Sequence, residues 1–399
     1  MTFITEFNNI MWGWVLAVIL LGTGLLYGIT MGFPQVRCFG HIIRSLKSTL
    51  KSDEGSVSGF AALCAAVGGQ VGTGSLVGVA SALAAGGPGA LFWMWITAVF
   101  GMVLSFGEAT LGQVFHEKDK DGNYYGGSPY YMTKGLGNKP LAIAYAVTTI
   151  FAVGVCIAML QNNSITSAVT GVVNISPWIP GIIVTIITAV IVLGGVKRIT
   201  DAASLIVPFM AVGYILITII IIITHLSEVP AMFGTFMTTI IICSCTGFAI
   251  LLTGALESDQ DGVNLVQAAF SSMLGQVGSY FVLLVTFLFC FTTLIADLFY
   301  GEVGVRYLFK GSANGADKAV KVFQVIALIL VTIGAALPLP VLWDLVDFCV
   351  AFLVFFNVYA LLRLRKYVKY VLDDYLMQFN SGKSEPVWDE SVDITEKCK

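Results

Sequence analysis

The apolar positions of this chain do not trace a narrow stripe along one face of a helix; they run on in blocks of roughly twenty residues, the length at which an α-helix crosses about 30 Å of hydrocarbon. Such blocks centre on residues 11–30, 57–85, 90–115, 141–161, 179–196, 205–224, 232–254, 274–299, 322–337 and 342–362. They are too long and too continuous for the short alternating strands of a membrane barrel. Helix is the other structure that satisfies its own backbone in lipid. The pattern predicts an all-α polytopic membrane protein of about ten helices.

One block interrupts itself. Between Gly68 and Ser75 it reads "GGQVGTGS", with Gln70, Thr73 and Ser75 set among four glycines. Close helix packing through small residues would account for the glycines alone. The polar residues between them point instead to a discontinuous helix, because unwound backbone is tolerated at membrane depth only where protein or a wet cavity satisfies it. Helices broken in this way aim half-helix ends at a substrate carboxylate and free carbonyls at a cation.

Composition agrees with a bilayer setting: 57% of the residues are hydrophobic and 11% charged, and mean hydropathy is +0.87. The net charge of −3 says little about partners; the placement of the positive residues says more. Arg37, Arg44, Lys47 and Lys51 share one loop, Lys118, Lys120, Lys134 and Lys139 another, and Lys197 and Arg198 a third. Arg306, Lys310, Lys318 and Lys321 make a fourth group, and Arg363, Arg365, Lys366 and Lys369 begin the tail. Positive loops stay inside, so these are expected to be cytoplasmic, and the loops at 85–88, 174–180, 225–230, 254–263 and 338–340, which lack Lys and Arg, external. A conflict follows. The loops at 225–230 and 254–263 both read as external although a single block, 232–254, separates them. Either the charge rule fails here or a helix is missing, and 232–254 is expected either to insert as a shortened, tilted or re-entrant helix or to stay poorly inserted, leaving Glu257, Asp259 and Asp261 outside.

No enzyme signature competes. The three histidines, His41, His116 and His225, lie in separate loops, "GTGSLVG" lacks the lysine of a phosphate loop, and the cysteines sit mostly in apolar segments as small buried hydrophobes. The first block is followed by a basic loop rather than a cleavage site, so it is expected to be retained. Other polar residues at membrane depth admit two readings each. Thr292 and Thr293 in "FCFTTLIAD" either bond the carbonyls one turn back or offer hydroxyls to a cation. Gln161 and Asn163 in "MLQNNSI" are an interfacial cap or substrate contacts, and Trp343 is an interfacial anchor or a pocket wall. Asp297, Asp344, Asp347 and Glu108 are costly enough in or near a membrane to be functional suspects, although Asp344 and Asp347 suit a helix start and Glu108 is placed to pair with a lysine.

The segment "VGTGSLVGVASALAAGGPGALFWMW" resembles the signature of the sodium:alanine symporter family, with Ser75 where the family usually has asparagine. The likeness continues in order through "GGSPYYMTKGLG", "MLQNNSI", "LGGVKRITDAASLIVPFMAVGYI", "CTGFAILLTG", "LFCFTTLIADLFYGEVGVRYLFKG" and "LWDLVDFCVAFLVFFNVYALL". It implies a leucine-transporter-type fold of two inverted repeats in a single membrane domain, residues 1–369. Within it lie an extra N-terminal helix at 10–31, a first repeat at 57–224 and a second at 232–363; a polar, disordered cytoplasmic tail occupies 370–399. It also implies that the second repeat is incomplete, because the family's second broken helix, expected between Pro230 and Thr238, has no counterpart here. That is where the charge argument breaks down.

The function implied is sodium-coupled symport of a small neutral amino acid, alanine or glycine, across the plasma membrane by alternating access. Sodium is the coupling ion, there is no other cofactor, and the partners are substrate, ion and bilayer, not nucleic acid. The alternative is a non-transporting deletion derivative that keeps the scaffold. Carried over residue by residue, the resemblance assigns Thr73, Gly74, Gln161 and Trp343 to the substrate, and Gly68, Gly69, Gly72, Thr292 and Thr293 to sodium.

Overall fold

A computed structural model describes residues 2–42, 44, 59–118, 124–224, 238–258, 260–311, 313–383, 388, 389, 392 and 394–398. Helices α1 (Thr2–Ile10) and α2 (Leu16–Met31) are joined through a π-helical turn, Met11–Val15, and end where Gly32 turns left-handed. After α3 (Pro34–Arg37) comes the interrupted block: α4 (Gly59–Gly68), a non-helical stretch at 69–72, a π-helical turn at Gly74–Gly78, and α5 (Val79–Gly86). The long α6 (Gly89–Val114) leads to a small antiparallel pair, β1 (Glu117–Lys118) and β2 (Tyr124–Tyr125), and to α7 (Ser128–Lys134). Then α8 (Lys139–Phe151) continues through a π-helical turn into α9 (Ala158–Val172), followed by α10 (Trp178–Val192) and α11 (Val196–Thr224). The second half holds α12 (Thr238–Leu252), α13 (Gly262–Leu274), α14 (Gln276–Leu308), α15 (Ala313–Gly334), α16 (Leu339–Asn380) and the short α17 (Ile394–Lys397).

Where they are described, the expected apolar blocks are mostly helical, but they are not equally long. Among the described residues six helical runs are long and apolar enough to cross a membrane: Thr2–Met31, Gly89–Val114, Lys139–Val172, Val196–Leu216, Gln276–Leu308 and Leu339–Asn380. The rest fall short for local reasons. The block at 57–85 is split by its glycines; Trp178–Val192 is confined between Pro177 and the turn at Gly194 and Gly195; and 322–337 continues a helix whose first turns carry Asp317, Lys318 and Lys321. The described part of 232–254 is α12, Thr238–Leu252, and Glu257 and Asp261 beyond it are exposed. The suspected gap between Pro230 and Thr238 lies outside the described residues, as do Lys47, Lys51, Lys120, His225 and Asp259.

One expectation about the tail is corrected. Helix α16 does not stop at 369 but runs to Asn380, 42 residues in all, longer than a bilayer needs. The reason is visible in its side chains: Val368 and Leu372 recur at helical spacing and are buried beside Tyr131 and Leu364. Farther on, the Trp388 ring stands edge-on to Tyr370 with centroids 6.3 Å apart, and Ile394 is buried in the same cluster.

The centre of the molecule is α14. Burial covers 72% of its most apolar stretch, against 17% for α6, so α14 faces protein nearly all round while α6 shows much of its surface to lipid. It packs against α4, α8, α9, α11, α13 and α15. The tightest approach is made by glycine: a Cβ on Gly154 would lie 2.9 Å from the Gly301 Cα, so the two backbones meet where neither residue has a side chain.

Candidate substrate and cation site

The break at 69–72 rests on α14 and α9. A Cβ on Gly72 would stand 2.5 Å from Thr293 Oγ1 and 2.7 Å from Gln161 Oε1, and one on Gly69 would stand 2.7 Å from Tyr300 Oη. Any side chain at Gly72 would push the break off both helices. The last main-chain bonds of α4 are made by Gln70 and Val71 to Val67, and the chain resumes with the Ser75 amide donating to the Gly72 carbonyl at 3.0 Å. Between them Thr73, wholly buried, turns to side chains instead of backbone.

Its N–H donates to Gln161 Oε1 at 2.9 Å and its hydroxyl donates to the same oxygen at 2.7 Å. Ser164 Oγ lies 3.1 Å and Cys290 Sγ 3.4 Å from the same hydroxyl. Two donors of an unwound segment therefore converge on one oxygen, supplied by an amide that is itself 3% exposed. A backbone N–H can only donate, which fixes the amide with its oxygen toward Thr73. Below the break, Thr293 Oγ1 donates to the Gly68 carbonyl at 2.8 Å. Above it, the Ser75 carbonyl accepts from Thr246 Oγ1 at 2.9 Å, and Thr246 in turn is 2.7 Å from Tyr214 Oη.

The predicted site residues thus separate. Thr73, Gln161, Gly68, Gly72 and Thr293 come together in one hydrogen-bonded set. Thr292 touches the break only through packing; its hydroxyl bonds the Leu288 and Phe289 carbonyls at 3.1 and 2.9 Å, the backbone reading of that residue. Gly74 has open space around its Cβ direction. The Trp343 ring reaches to 4.0 Å of a Cβ placed on Gly78, in the π-helical turn that follows Thr73, and its indole N–H is buried without a partner. Asn163, the other candidate in "MLQNNSI", closes a helix end, its amide donating at 3.0 Å to the carbonyl of Gly334, the last residue of α15, and at 2.8 Å to that of Leu337 just beyond it. Ser164, Thr246, Tyr214 and Cys290 join the site without having been singled out, although all four lie in the quoted motifs. Only their tertiary partners set them apart from ordinary helix residues.

The ionisable suspects are mostly structural. Glu108 accepts from the Asn357 amide, not from a lysine as expected; it sits on the face of α6 turned to α16. Asp344 accepts from Thr5 Oγ1 at 2.9 Å, and the Asp347 carbonyl from Trp12 Nε1 at 3.1 Å, which ties the N-terminal helix to α16. Asp297 differs. It is 3% exposed, and its Oδ2 has no hydrogen-bond partner. Among the described residues no cluster of His, Cys, Asp and Glu suits a transition metal. The oxygens at the break are neutral carbonyls and hydroxyls.

A broken membrane helix that directs donors at one point and carbonyls at another is the arrangement of an ion-coupled transporter, and comparison with known proteins gives it a family. The model of the sodium:alanine symporter family matches residues 1–235 and 230–390. The chain belongs to that family. It is 32% identical to the "Putative sodium/proton-dependent alanine carrier protein YrbD" of Bacillus subtilis, over 97% of this chain and 94% of the relative. The sodium/alanine symporter AgcS of Methanococcus maripaludis is 29% identical over 85% of this chain and 89% of its own, and the amino-acid carrier protein AlsT of Bacillus subtilis 28% over 91% and 90%. The alignment with YrbD spans 462 positions whereas this chain has 399 residues, so part of the relative lies opposite no residue here. Membership makes this chain a multi-pass membrane transporter and not an enzyme. In this symporter family member the break at 69–72 buries Val71 and Gly72 among partners on α9, α12 and α14.

Proposed function

We propose that this chain is a sodium-coupled symporter of a small neutral amino acid, alanine or glycine, in the plasma membrane, working by alternating access. The observation that carries the reading is the convergence of the Thr73 N–H and O–H on a single oxygen at 2.9 and 2.7 Å. A substrate carboxylate oxygen can take the position of Gln161 Oε1, at the N-terminal end of the helix that resumes at Gly74, where the helix dipole favours negative charge. The Gly68 carbonyl and the Thr293 hydroxyl, 2.8 Å apart, are oxygens of the kind Na⁺ accepts from discontinuous helices. Gly69 and Gly72 bring further carbonyls to the same break, and Thr292 joins once its hydroxyl leaves the helix backbone. Trp343, against the turn at Gly78, limits the room for a substrate side chain.

The same reading takes the fold as a leucine-transporter-type pair of inverted repeats with basic loops inside, the second repeat one helix short between Thr224 and Thr238. Two facts support the shortfall: the family match divides at 230–235, and the relatives' alignments are longer than this chain. The test is uptake of labelled alanine and glycine into liposomes under an inward Na⁺ gradient or an inward proton gradient. Accumulation driven by Na⁺ alone supports the proposal. Accumulation driven by protons alone overturns the choice of ion, and none under either gradient favours the non-transporting derivative.

A further inference from the structure

One face of α6 opens on a cavity rather than on a neighbouring helix. Met102, Ser105, Phe106, Ala109, Thr110 and Gln113 recur at the spacing that sets side chains on one face, and all of them line a cavity of about 940 Å³. That volume falls at the upper end of the roughly 300–1,000 Å³ usual for ligand sites. From Met102 to Gln113 the helix rises about 16 Å, close to the roughly 15 Å of hydrocarbon in a single leaflet. Opposite α6 stand Pro34 and Cys38 of the segment that begins with α3, Leu372 and Tyr375 of α16 and, from the tail, Trp388 and Val392.

The wall changes character along its length. Around Met102 and Phe106 it is mainly apolar. Toward the basic loop the Thr110 hydroxyl is already bonded to the Phe106 carbonyl, which leaves the exposed Gln113 amide and the rings of His116 and His41 to meet a polar group. Among the described residues the lining holds no Asp, Glu, Lys or Arg. At the rim, Lys134 Nζ donates to the His116 carbonyl at 3.0 Å with its side chain 40% exposed, and Arg44, three residues beyond His41, is exposed. Glu117, which follows His116, is held by both Lys134 and Lys310, at 3.5 and 3.3 Å. The surroundings are lipid-like: the apolar stretch of α6 is mostly unburied, and Val36 and Phe39, beside the lining residues Pro34 and Cys38, are exposed.

We propose that this cavity binds one anionic phospholipid from the leaflet at the basic end of the bundle, with acyl chain along the α6 face and phosphate among His41, His116 and Lys134. An amphiphile matches a wall that is apolar at one end and hydrogen-bonding at the other, and basic residues at a membrane surface favour an anionic headgroup.

The test is native mass spectrometry of the delipidated full chain in detergent, titrated with palmitoyl-oleoyl phosphatidylglycerol or with the corresponding phosphatidylcholine. Binding read in this way needs neither Na⁺ nor substrate, and so is independent of the site at the break. Phosphatidylglycerol should half-saturate the chain at a concentration about fivefold lower than phosphatidylcholine. Ala109→Trp puts an indole midway along the exposed stripe; displacing only two buried methylenes should raise the half-saturating concentration about tenfold. Ile186→Trp, on an exposed face of α10 outside the cavity, should leave it unchanged.

A pair of surface charges keeps the test open should the indole disturb folding. Gln113→Glu should weaken phosphatidylglycerol about fivefold and Gln113→Lys strengthen it by a like factor, with phosphatidylcholine unmoved by either. Equal half-saturation by the two lipids in the parent chain, equal effects of Ala109→Trp and Ile186→Trp, or one response of both lipids to charge at 113 would overturn the proposal. Displacement of phosphatidylglycerol by equimolar palmitate would also overturn it, since the cavity would then be a fatty-acid site.

Discussion

Two polar regions lie along the same helix, α14, and they are built on opposite plans. From Cys290 to Asp297 the helix meets neutral groups: the hydroxyl of Thr73 beside Cys290 and the Gly68 carbonyl on Thr293. From Glu302 to Lys310 it meets charges. Glu302, 3% exposed, accepts from Arg306 at 2.9 Å and from the Gln324 amide at 3.2 Å, and Arg306 also reaches Asp317 at 2.9 Å. Lys310 and Lys134, from different halves of the chain, share Glu117 at 3.3 and 3.5 Å. Tyrosine rings lie under the cations, Tyr125 at 5.5 Å from Arg306 and Tyr307 at 5.0 Å from Lys310. In the charged region each ion has its opposite and nothing further is required. In the neutral region the Thr73 donors converge on the Gln161 oxygen, and among the described residues no ion pair includes Asp297. Charge therefore marks the scaffold of this molecule, and hydrogen-bonding capacity without balancing charge marks the proposed site.

That contrast can be broken most severely at Gly72. Gly72→Ala forces a Cβ to within 2.5 Å of Thr293 Oγ1, and a displacement of about 1 Å at such a site costs on the order of a hundredfold in rate. Uptake should fall by that factor in reconstituted protein while the melting temperature, set largely by the rest of the bundle, moves little. Thr293→Val comes next. Losing the hydroxyl on the Gly68 carbonyl should raise the Na⁺ concentration for half-maximal uptake by about tenfold. Thr292→Val should change it by less than about threefold, since that hydroxyl bonds its own helix; equal effects at the two positions would erase the distinction drawn between them.

The charged region should answer in stability instead. Arg306→Met strands the buried Glu302 and should cost about 3–5 kcal/mol, read as a lower melting temperature in detergent with the half-saturating Na⁺ concentration of the surviving protein unchanged. Lys310→Met removes one of two lysines from a partly exposed carboxylate and should cost no more than about 1 kcal/mol, with uptake at the parent level.

The apolar blocks made the helices legible, because burial of twenty-residue runs leaves few other outcomes, and the glycines with Gln70, Thr73 and Ser75 between them marked the break. What the pattern hid were relations between helices. Thr292 and Thr293 are adjacent and chemically alike; only the direction of each side chain, set by a 100° step around α14, makes one a partner of Gly68 and leaves the other on its own backbone. Glu108 invited a lysine and found Asn357, because the choice depended on α16, more than two hundred residues away. The last turns of α16 looked polar by composition, yet Val368 and Leu372 carry enough apolar surface to keep them helical. The family resemblance only suggested Gln161 as a substrate contact, and the geometry adds that its oxygen accepts both Thr73 donors.

The most direct measurement is of coupling itself: Na⁺ entry evoked by alanine or glycine, followed with a Na⁺-sensitive dye trapped in liposomes that carry the parent chain or Gly72→Ala. The account predicts that adding either amino acid starts Na⁺ entry through the parent chain, that a large amino acid such as tryptophan does not, and that Gly72→Ala abolishes the response while inserting equally well. No amino-acid-evoked Na⁺ entry through the parent chain, in liposomes where a sodium/alanine symporter of the same family gives a clear signal, would contradict it.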